Sequence, residues 1–107
     1  MIISTAVSRN GVKIRLTQER WLHITYSHKE IDSTDFDEAL EVLEDPDFIL
    51  KGDEEELLAV KKRGRRKEWF VVIYKEVNRE NGFIITSYLT SDMKWLLKRE
   101  IIWKKES

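Results

Sequence analysis

The chain contains no cysteine, one proline and only four glycines among its 107 residues. Without cysteine it can form neither disulfides nor thiolate metal sites, and it has no thiolate nucleophile, which fits a reducing cytosol. Neither sign of charge is in excess, since 19 basic and 20 acidic residues leave a formal net charge of −1. Because no global basic field exists, any binding of nucleic acid must depend on a local patch.

Long apolar runs are also missing. No run approaches the roughly 18 residues that a membrane span requires, and no signal peptide follows Met1. We therefore expect a soluble, cytoplasmic protein that contacts no membrane. An apolar fraction of 41% and four tryptophans indicate a folded core, and the length predicts a single domain over residues 1–107.

The strongest strand propensity lies in residues 68–88, around which we expect the fold to be organised. Six consecutive β-branched or aromatic residues, 69–74, predict a strand covered on both faces. The pair Asn81-Gly82 ends a turn cluster and predicts a hairpin. The partner strand, 83–88, ends in three hydroxyl side chains, which are the first indication of a functional site.

Two helices are predicted in the N-terminal half of the chain. Thr17 is the predicted N-cap of a helix over 18–27, and residues 33–34 begin a second helix that ends before Pro46. Four strands follow, so we predict an α+β fold in which two helices cover one face of a four-stranded, or slightly larger, antiparallel sheet. A short hairpin within residues 2–16 would precede it, and the other sheet face would be partly exposed.

A basic run is the clearest local anomaly, because six of the seven positions from 61 to 67 are Lys or Arg. A hairpin loop with this charge could neutralise several phosphates and attract a polyanion. A solvated turn that balances the acidic run 53–56 is the alternative interpretation. The candidate residues for binding nucleic acid are Lys61, Lys62, Arg63, Arg65, Arg66 and Lys67.

His23 and His28 are the two histidines of the chain. Helical geometry separates them by about 140° around the axis, so they converge only if the helix frays near Ser27. Histidine suits RNA cleavage, because a base must take the 2′-hydroxyl proton and an acid must protonate the leaving oxygen near neutral pH. The C-terminal end of the helix would favour protonated His28, the better candidate for the acid. A structural role is the alternative for both.

Thr86 and Tyr88 share one face of their predicted strand, whereas Ser87 takes the other. The two hydroxyls could hydrogen-bond a scissile phosphate, or Tyr88 could stack on a base. Ordinary edge-strand composition explains the same residues without a site. Four aromatic side chains are expected in the core rather than as stacking platforms, and they are Trp21, Trp69, Trp95 and Trp103.

A family resemblance runs through residues 12–104. Residues 16–24 have the order Leu-Thr-x-Glu-Arg-Trp-x-His-Ile, and a His-x-Glu triplet at 28–30 and an acidic helix follow. This pattern resembles the opening of small phage- and toxin-type nuclease domains of the barnase/EndoU/colicin/RelE-like superfamily. An Asp-Pro-Asp triplet at 45–47, the strand at 82–88 and a closing Ile-Trp-Lys extend the resemblance.

The resemblance implies metal-independent RNA cleavage, without a cofactor, on the sheet face away from the helices. It also implies a toxin role with a neutralising partner. By position, His23, His28, Thr86 and Tyr88 correspond to the polar positions of the motifs, with the cations of 61–63 holding phosphate. The chain departs from the family pattern at Lys29, where a proline is expected, and at Ser87, where a small alanine-like residue is expected. Its near-neutral charge differs from the strongly basic RelE-type toxins.

The leading hypothesis is an endoribonuclease in which the two histidines transfer protons, Thr86 and Tyr88 orient the phosphate, and the cations of 61–63 stabilise developing charge. RNA would be the substrate, and a cognate antitoxin or another protein would be the partner. A second hypothesis is a non-catalytic module that binds RNA or an acidic protein through 61–67. A third is an interaction domain that forms a homodimer through its exposed sheet face.

Overall fold

The computed structural model describes residues 2–63 and 68–106. These residues form seven strands and three helices. In chain order, the elements are β1 (Ile2–Val7), β2 (Lys13–Thr17), α1 (Gln18–Ser27), α2 (Phe36–Glu44), β3 (Phe48–Lys51), β4 (Leu57–Lys62), β5 (Trp69–Glu76), β6 (Asn81–Thr90), α3 (Met93–Leu96) and β7 (Ile101–Lys104).

The described strands all belong to one mixed sheet, in the order β1-β2-β6-β5-β4-β3-β7. Consecutive strands from β3 to β6 pair antiparallel, as do β1 with β2 and β3 with β7. β2 and β6 instead run parallel, pairing through 13–15 and 81–83. A parallel pair is possible here because the chain crosses over through α1 and α2 before it returns to the neighbouring position.

The predicted fold class is therefore wrong. The sequence predicted two helices on one face of a four-stranded, or slightly larger, antiparallel sheet preceded by a short N-terminal hairpin. Instead the β1–β2 hairpin joins the sheet through β6, β7 extends the other end beside β3, and α3 lies on the second face. Apolar alternation identifies a strand and its buried face, but which strands become neighbours is decided by tertiary packing.

α1 and α2 cover one face of the sheet, called here the helix-side face. Thr17 caps α1 as predicted, because its hydroxyl accepts a hydrogen bond from the Arg20 N–H at 3.1 Å. The second helix begins at Phe36 rather than at 33–34. Buried apolar residues of both helices meet those of β2, β5 and β6, and they include Trp21, Ile24, Ala39, Leu43, Ile14, Leu16, Phe70, Val72, Tyr74 and Ile84.

The opposite face, called here the α3-side face, is only partly covered. Leu96 of α3 is fully buried among Leu50, Leu58, Val60 and Val71. Because a helix of four residues covers little area, part of this face stays open and forms a cleft. None of the helices in the described part of the chain is long and apolar enough to cross a membrane.

The sheet curls so that its two ends approach each other. The guanidinium of Arg9, in the turn after β1, lies 4.6 Å from the ring centroid of Trp103 in β7, although β1 and β7 are the two edges of the sheet. α2 contacts β1, β4 and β5 within this curve. α2 therefore lies on the concave side of the curled sheet, and the α3-side face is the convex side.

The predicted β5–β6 hairpin is confirmed, but its turn ends before Asn81-Gly82 and not in this pair. β6 already begins at Asn81, and the Asn78 side chain organises the turn by accepting the N–H groups of Glu80 and Asn81 at 2.8 and 2.9 Å. Gly82 instead lies inside the sheet, where an added Cβ would sit 2.3 Å from the carbonyl oxygen of Lys75. Glycine is needed at this position for close packing.

Candidate functional site

The second half of β6 carries two of the predicted site residues. Thr86 pairs with Ile73 and Tyr88 with Val71, and both partners belong to the α3-side core. Thr86 and Tyr88 therefore share the α3-side face, as their spacing predicts. The face lies away from α1 and α2, where the family resemblance places the reaction.

His28 reaches Tyr88 because α1 ends at Ser27. His28 is the C-cap of this helix, and its N–H donates to the carbonyl of Ile24 at 2.8 Å. The imidazole centroid lies 6.1 Å from the centroid of the Tyr88 ring, with the ring planes inclined by 34°. About a third of the His28 side chain is exposed (33%). The structure thus brings together one histidine and one hydroxyl of the predicted set.

Glu30 completes this group, called here the His28–Tyr88 site. Its Oε2 lies 3.5 Å from Nδ1 of His28 and accepts a hydrogen bond from the N–H of Leu89 in β6 at 3.4 Å. One carboxylate therefore contacts both the imidazole and the edge of the strand that carries Tyr88. The segment is held further on by buried Ile31 and by Trp21, whose Nε1 donates to the carbonyl of Ser33 at 2.8 Å.

Burial raises the pKa of the Tyr88 phenol above its ordinary value of 10.0, and the Arg99 guanidinium opposes this rise without cancelling it. The phenol therefore keeps its proton throughout the neutral range. In that state it is a hydrogen-bond donor and not a base. A phosphate oxygen or a carbonyl is the kind of group that such a donor recognises.

A cleft of about 590 Å³ lies beside Tyr88 on the α3-side face; it is called here the Tyr88 cleft. Arg99 forms one wall, where it donates to Asp53 at 2.8 Å and lies 5.7 Å from the ring centroid of Trp95. A β-bulge in β6 adds Ile85 to the floor, because Ile73 and Tyr74 pair with Thr86 and Ile84 and leave Ile85 extra. The lining residues are Gly52, Asp53, Glu54, Glu56, Leu58, Ile73, Ile85, Tyr88, Trp95 and Arg99.

His23 lies apart from this site. It is exposed on α1 and lines a separate shallow depression with Thr17, Glu19 and Arg20. Because α1 remains helical through Ser27, the two imidazoles stay on different sides of the helix, as its geometry requires. The structure does not bring the two histidines together.

Lys61 and Arg63 face α2 instead of the cleft. Lys61 pairs with Phe70, which belongs to the helix-side core, so it stands on the opposite face of the sheet from Tyr88. Its Nζ donates to the carbonyl and to the carboxylate of Asp45, both at 3.0 Å. The Arg63 guanidinium contacts Glu38 and Asp35 at 3.1 and 3.3 Å.

These contacts neutralise two of the six predicted cations by intramolecular pairing. The Lys61 and Lys105 ammonium groups hold the pKa of Asp45 below its ordinary value. Lys62 is exposed, and its backbone N–H donates to Asp47 at 2.8 Å. The remaining predicted cations, Arg65, Arg66 and Lys67, lie outside the described residues.

Two buried hydroxyls stand under the helices. Ser87 Oγ and Tyr74 Oη are buried without a hydrogen-bond partner among the described residues. Both side chains are fully buried (0% exposed), and Val72, the β5 partner of Ser87, belongs to the helix-side core. In residues 2–63 and 68–106, no group of three His, Asp or Glu side chains converges as a metal site.

Sequence reasoning missed Arg99, Glu30 as a partner of His28, and the exposure of Trp95. Trp95 was predicted to be in the core but is about half exposed (49%) on the wall of the cleft. A signal existed in the spacing of Met93 and Leu96, which leaves Trp95 on the outer side of a short helix. Arg99 gave no signal, because one cation is inconspicuous in a chain that is 36% charged.

Comparisons with protein-family models, curated proteins and solved structures found no match for this chain.

Proposed function

We propose that this chain is a metal-independent endoribonuclease-like domain whose reaction centre is the His28–Tyr88 site. One observation carries the proposal: an imidazole and a protonated phenol, 60 positions apart in the sequence, lie 6.1 Å apart beside an open cleft. The family resemblance noted in the sequence supports the same chemistry. A toxin role with a cognate antitoxin belongs to the same proposal.

His28 is the proton-transfer group in the proposed reaction. Its Nδ1 is near Glu30, so the other ring nitrogen, Nε2, is the one that would meet the substrate. A carboxylate beside one imidazole nitrogen fixes the ring and stabilises the positive charge that follows proton uptake. His28 would give its Nε2 proton to the leaving 5′-oxygen, while water takes the proton of the 2′-hydroxyl, whose oxygen attacks phosphorus.

Tyr88 and Thr86 orient the phosphate. The phenol keeps its proton at neutral pH and can donate to a non-bridging oxygen whose negative charge grows in the transition state. Thr86 stands two positions earlier on the same face, roughly 7 Å away along the strand. Arg99, whose guanidinium acts electrostatically on Tyr88, supplies a cation from the other wall.

The proposal therefore uses a smaller set of residues than the sequence predicted. His23 has no part in it, because it lies on another side of α1. Lys61 and Arg63 have none either, because they face α2 on the helix side of the sheet, on the opposite face from Tyr88. The cation that supports the phosphate is Arg99 in their place.

A non-catalytic module that binds RNA or an acidic protein is the second candidate. The exposed side chain of Lys62 supports it, together with the basic composition of 65–67. It differs from the first candidate in predicting salt-sensitive binding without cleavage. A double charge reversal at Arg65 and Arg66 would abolish such binding.

The test is cleavage of a fluorogenic single-stranded RNA by purified protein in EDTA. We expect turnover in EDTA and a loss of about 100-fold or more in His28→Asn, which is the usual range for removing a proton-transfer group. His23→Asn is the matched control and should retain full activity. Tyr88→Phe should reduce kcat while leaving the fold intact by circular dichroism.

Unchanged cleavage in His28→Asn would refute the proposed centre, because a contaminating nuclease or another site would then be responsible. Loss of activity in His23→Asn alone would refute the division between the two histidines. RNA binding without any turnover, lost in the Arg65 and Arg66 reversal, would favour the second candidate.

A further inference from the structure

We propose that the Tyr88 cleft is a docking site for a segment of a partner protein in which an apolar or aromatic residue stands next to Lys or Arg. The proposal concerns a surface and a partner chemistry, and it does not depend on RNA cleavage. It follows from three properties of the cleft, namely an apolar floor, an anionic rim and a shape that is already formed.

The floor of the cleft is apolar. Leu58, Ile73 and Ile85 line it from three neighbouring strands, and the ring of Trp95 stands at its side, about half exposed. Apolar surface left open in this way is stabilised when an apolar side chain covers it. An aromatic or branched aliphatic anchor is the group that such a floor accepts.

The rim is anionic, and this property decides between classes of partner. Three carboxylates, from Asp53, Glu54 and Glu56, line the cleft against one guanidinium, from Arg99, which leaves two negative charges in excess. Arg99 holds the pKa of Asp53 below its ordinary value, so this carboxylate is ionised at neutral pH. A rim of this sign attracts Lys or Arg beside the anchor, whereas a phosphate would meet a single cation, Arg99, among the residues that line the cleft.

The cleft is preformed by its own hydrogen bonds. In the β3–β4 turn, Glu56 accepts the N–H of Glu54 through its side chain and the N–H of Gly52 through its carbonyl, both at 2.9 Å. Arg99 fastens this turn to the segment after α3 through Asp53. The volume of about 590 Å³ falls within the roughly 300–1,000 Å³ that is typical of binding sites.

Tyr88 belongs to both places, because it lines this cleft and its ring also lies beside the imidazole in the His28–Tyr88 site. A segment seated in the cleft would therefore cover the phenol that the proposed cleavage uses. Docking is measured without RNA, so failure of cleavage and failure of docking are separate results.

The test is selection of a phage-displayed library of random 12-residue peptides on the whole chain. We expect enrichment of peptides in which Phe, Leu, Ile or Trp adjoins Lys or Arg. A synthetic peptide with the enriched sequence should bind in fluorescence anisotropy, and its affinity should fall as salt rises, because salt screens charge attraction. No enrichment, or enrichment of acidic peptides, would overturn the proposal.

Matched variants locate the binding on the cleft. Glu54→Lys and Trp95→Ala should each weaken the selected peptide by about tenfold or more, through charge and anchor contact respectively. Glu44→Lys, an equal charge reversal on α2, and Leu97→Ala, an equally exposed apolar residue outside the lining, are the controls and should bind normally.

Three further results would overturn the assignment of the cleft to a partner segment. Equal weakening in the control variants would place the peptide elsewhere on the surface. Self-association that Trp95→Ala abolishes, measured by sedimentation without peptide, would make a second copy of the chain the occupant. Binding of 5′-GMP or 5′-AMP that depends on Trp95 would make it a nucleotide subsite.

Discussion

Leu96 is predicted to carry most of the energy that fixes α3 to the sheet. Its side chain is fully buried (0% exposed), whereas the next residue, Leu97, is 47% exposed. Truncating a buried leucine to alanine typically lowers the free energy of unfolding by about 2–5 kcal/mol, because transfer energy is lost and a cavity is left behind. A short surface helix can partly close the cavity, so we expect about 3 kcal/mol for Leu96→Ala.

The matched variant is Leu97→Ala, which removes the same atoms from an exposed position and should change stability by less than about 0.5 kcal/mol. For a domain of this size, about 3 kcal/mol lowers the melting temperature by roughly 12–24 °C. Urea denaturation followed by circular dichroism measures both variants. Equal losses in the two, or a loss under about 1 kcal/mol in Leu96→Ala, would refute the assignment of Leu96 as the anchor.

Three further predictions concern the sheet and its charges. Gly82→Ala should lose about 2 kcal/mol or more of unfolding free energy, because its Cβ would collide with the Lys75 carbonyl; wild-type stability would contradict this. Ser87→Ala should gain about 1 kcal/mol by removing a buried, unpaired hydroxyl; a loss would show that the hydroxyl is satisfied. Lys61→Met should lower the free energy of unfolding at pH 7, because it removes the ion pair with Asp45. Because Asp45 has a lowered pKa, that deficit should shrink as pH falls below 3.8; a deficit independent of pH would exclude the ion pair.

Local features of the fold could be predicted from the sequence because local interactions determine them. The Thr17 cap and the bounds of α1 follow from a hydroxyl placed before an apolar repeat, and the strand nature of 69–74 follows from its β-branched and aromatic residues. The parallel β2–β6 pair could not be predicted. It depends on Gly82 packing against Ile14, a contact between residues 68 positions apart.

The Asn81-Gly82 prediction shows the same limit in a short segment. The dipeptide has the sequence of a tight turn, but Asn78 forms the turn earlier by accepting two backbone N–H groups. Gly82 is then available for a position where no side chain fits. A glycine suits both a tight turn and a position without room for a side chain, and only the neighbouring strand decides between these two roles.

The candidate site was predictable residue by residue but not as a group. His28, Thr86 and Tyr88 were singled out, and the structure places His28 beside Tyr88 because α1 ends one residue before His28. His23 has the same chemistry and is more exposed, but it lies on another side of the helix. The residue at which the helix ends decides which histidine approaches the strand. Arg99, which follows α3, is held beside the site by Asp53 of the β3–β4 turn, a long-range contact that the sequence does not indicate.

The charges of this chain show why a basic run in the sequence differs from a basic surface. Of the run at 61–67, Lys61 and Arg63 are opposed by four carboxylates from α2 and its flanking residues, which are Asp35, Glu38, Glu41 and Asp45. The carboxylates of α2 and of its flanking residues therefore pair with two cations of the run. The Tyr88 cleft meanwhile has an anionic rim. In the proposed reaction, a substrate phosphate would reach His28 along the β6 edge or compete with Asp53 for Arg99, whereas the anionic rim would attract a cationic partner segment.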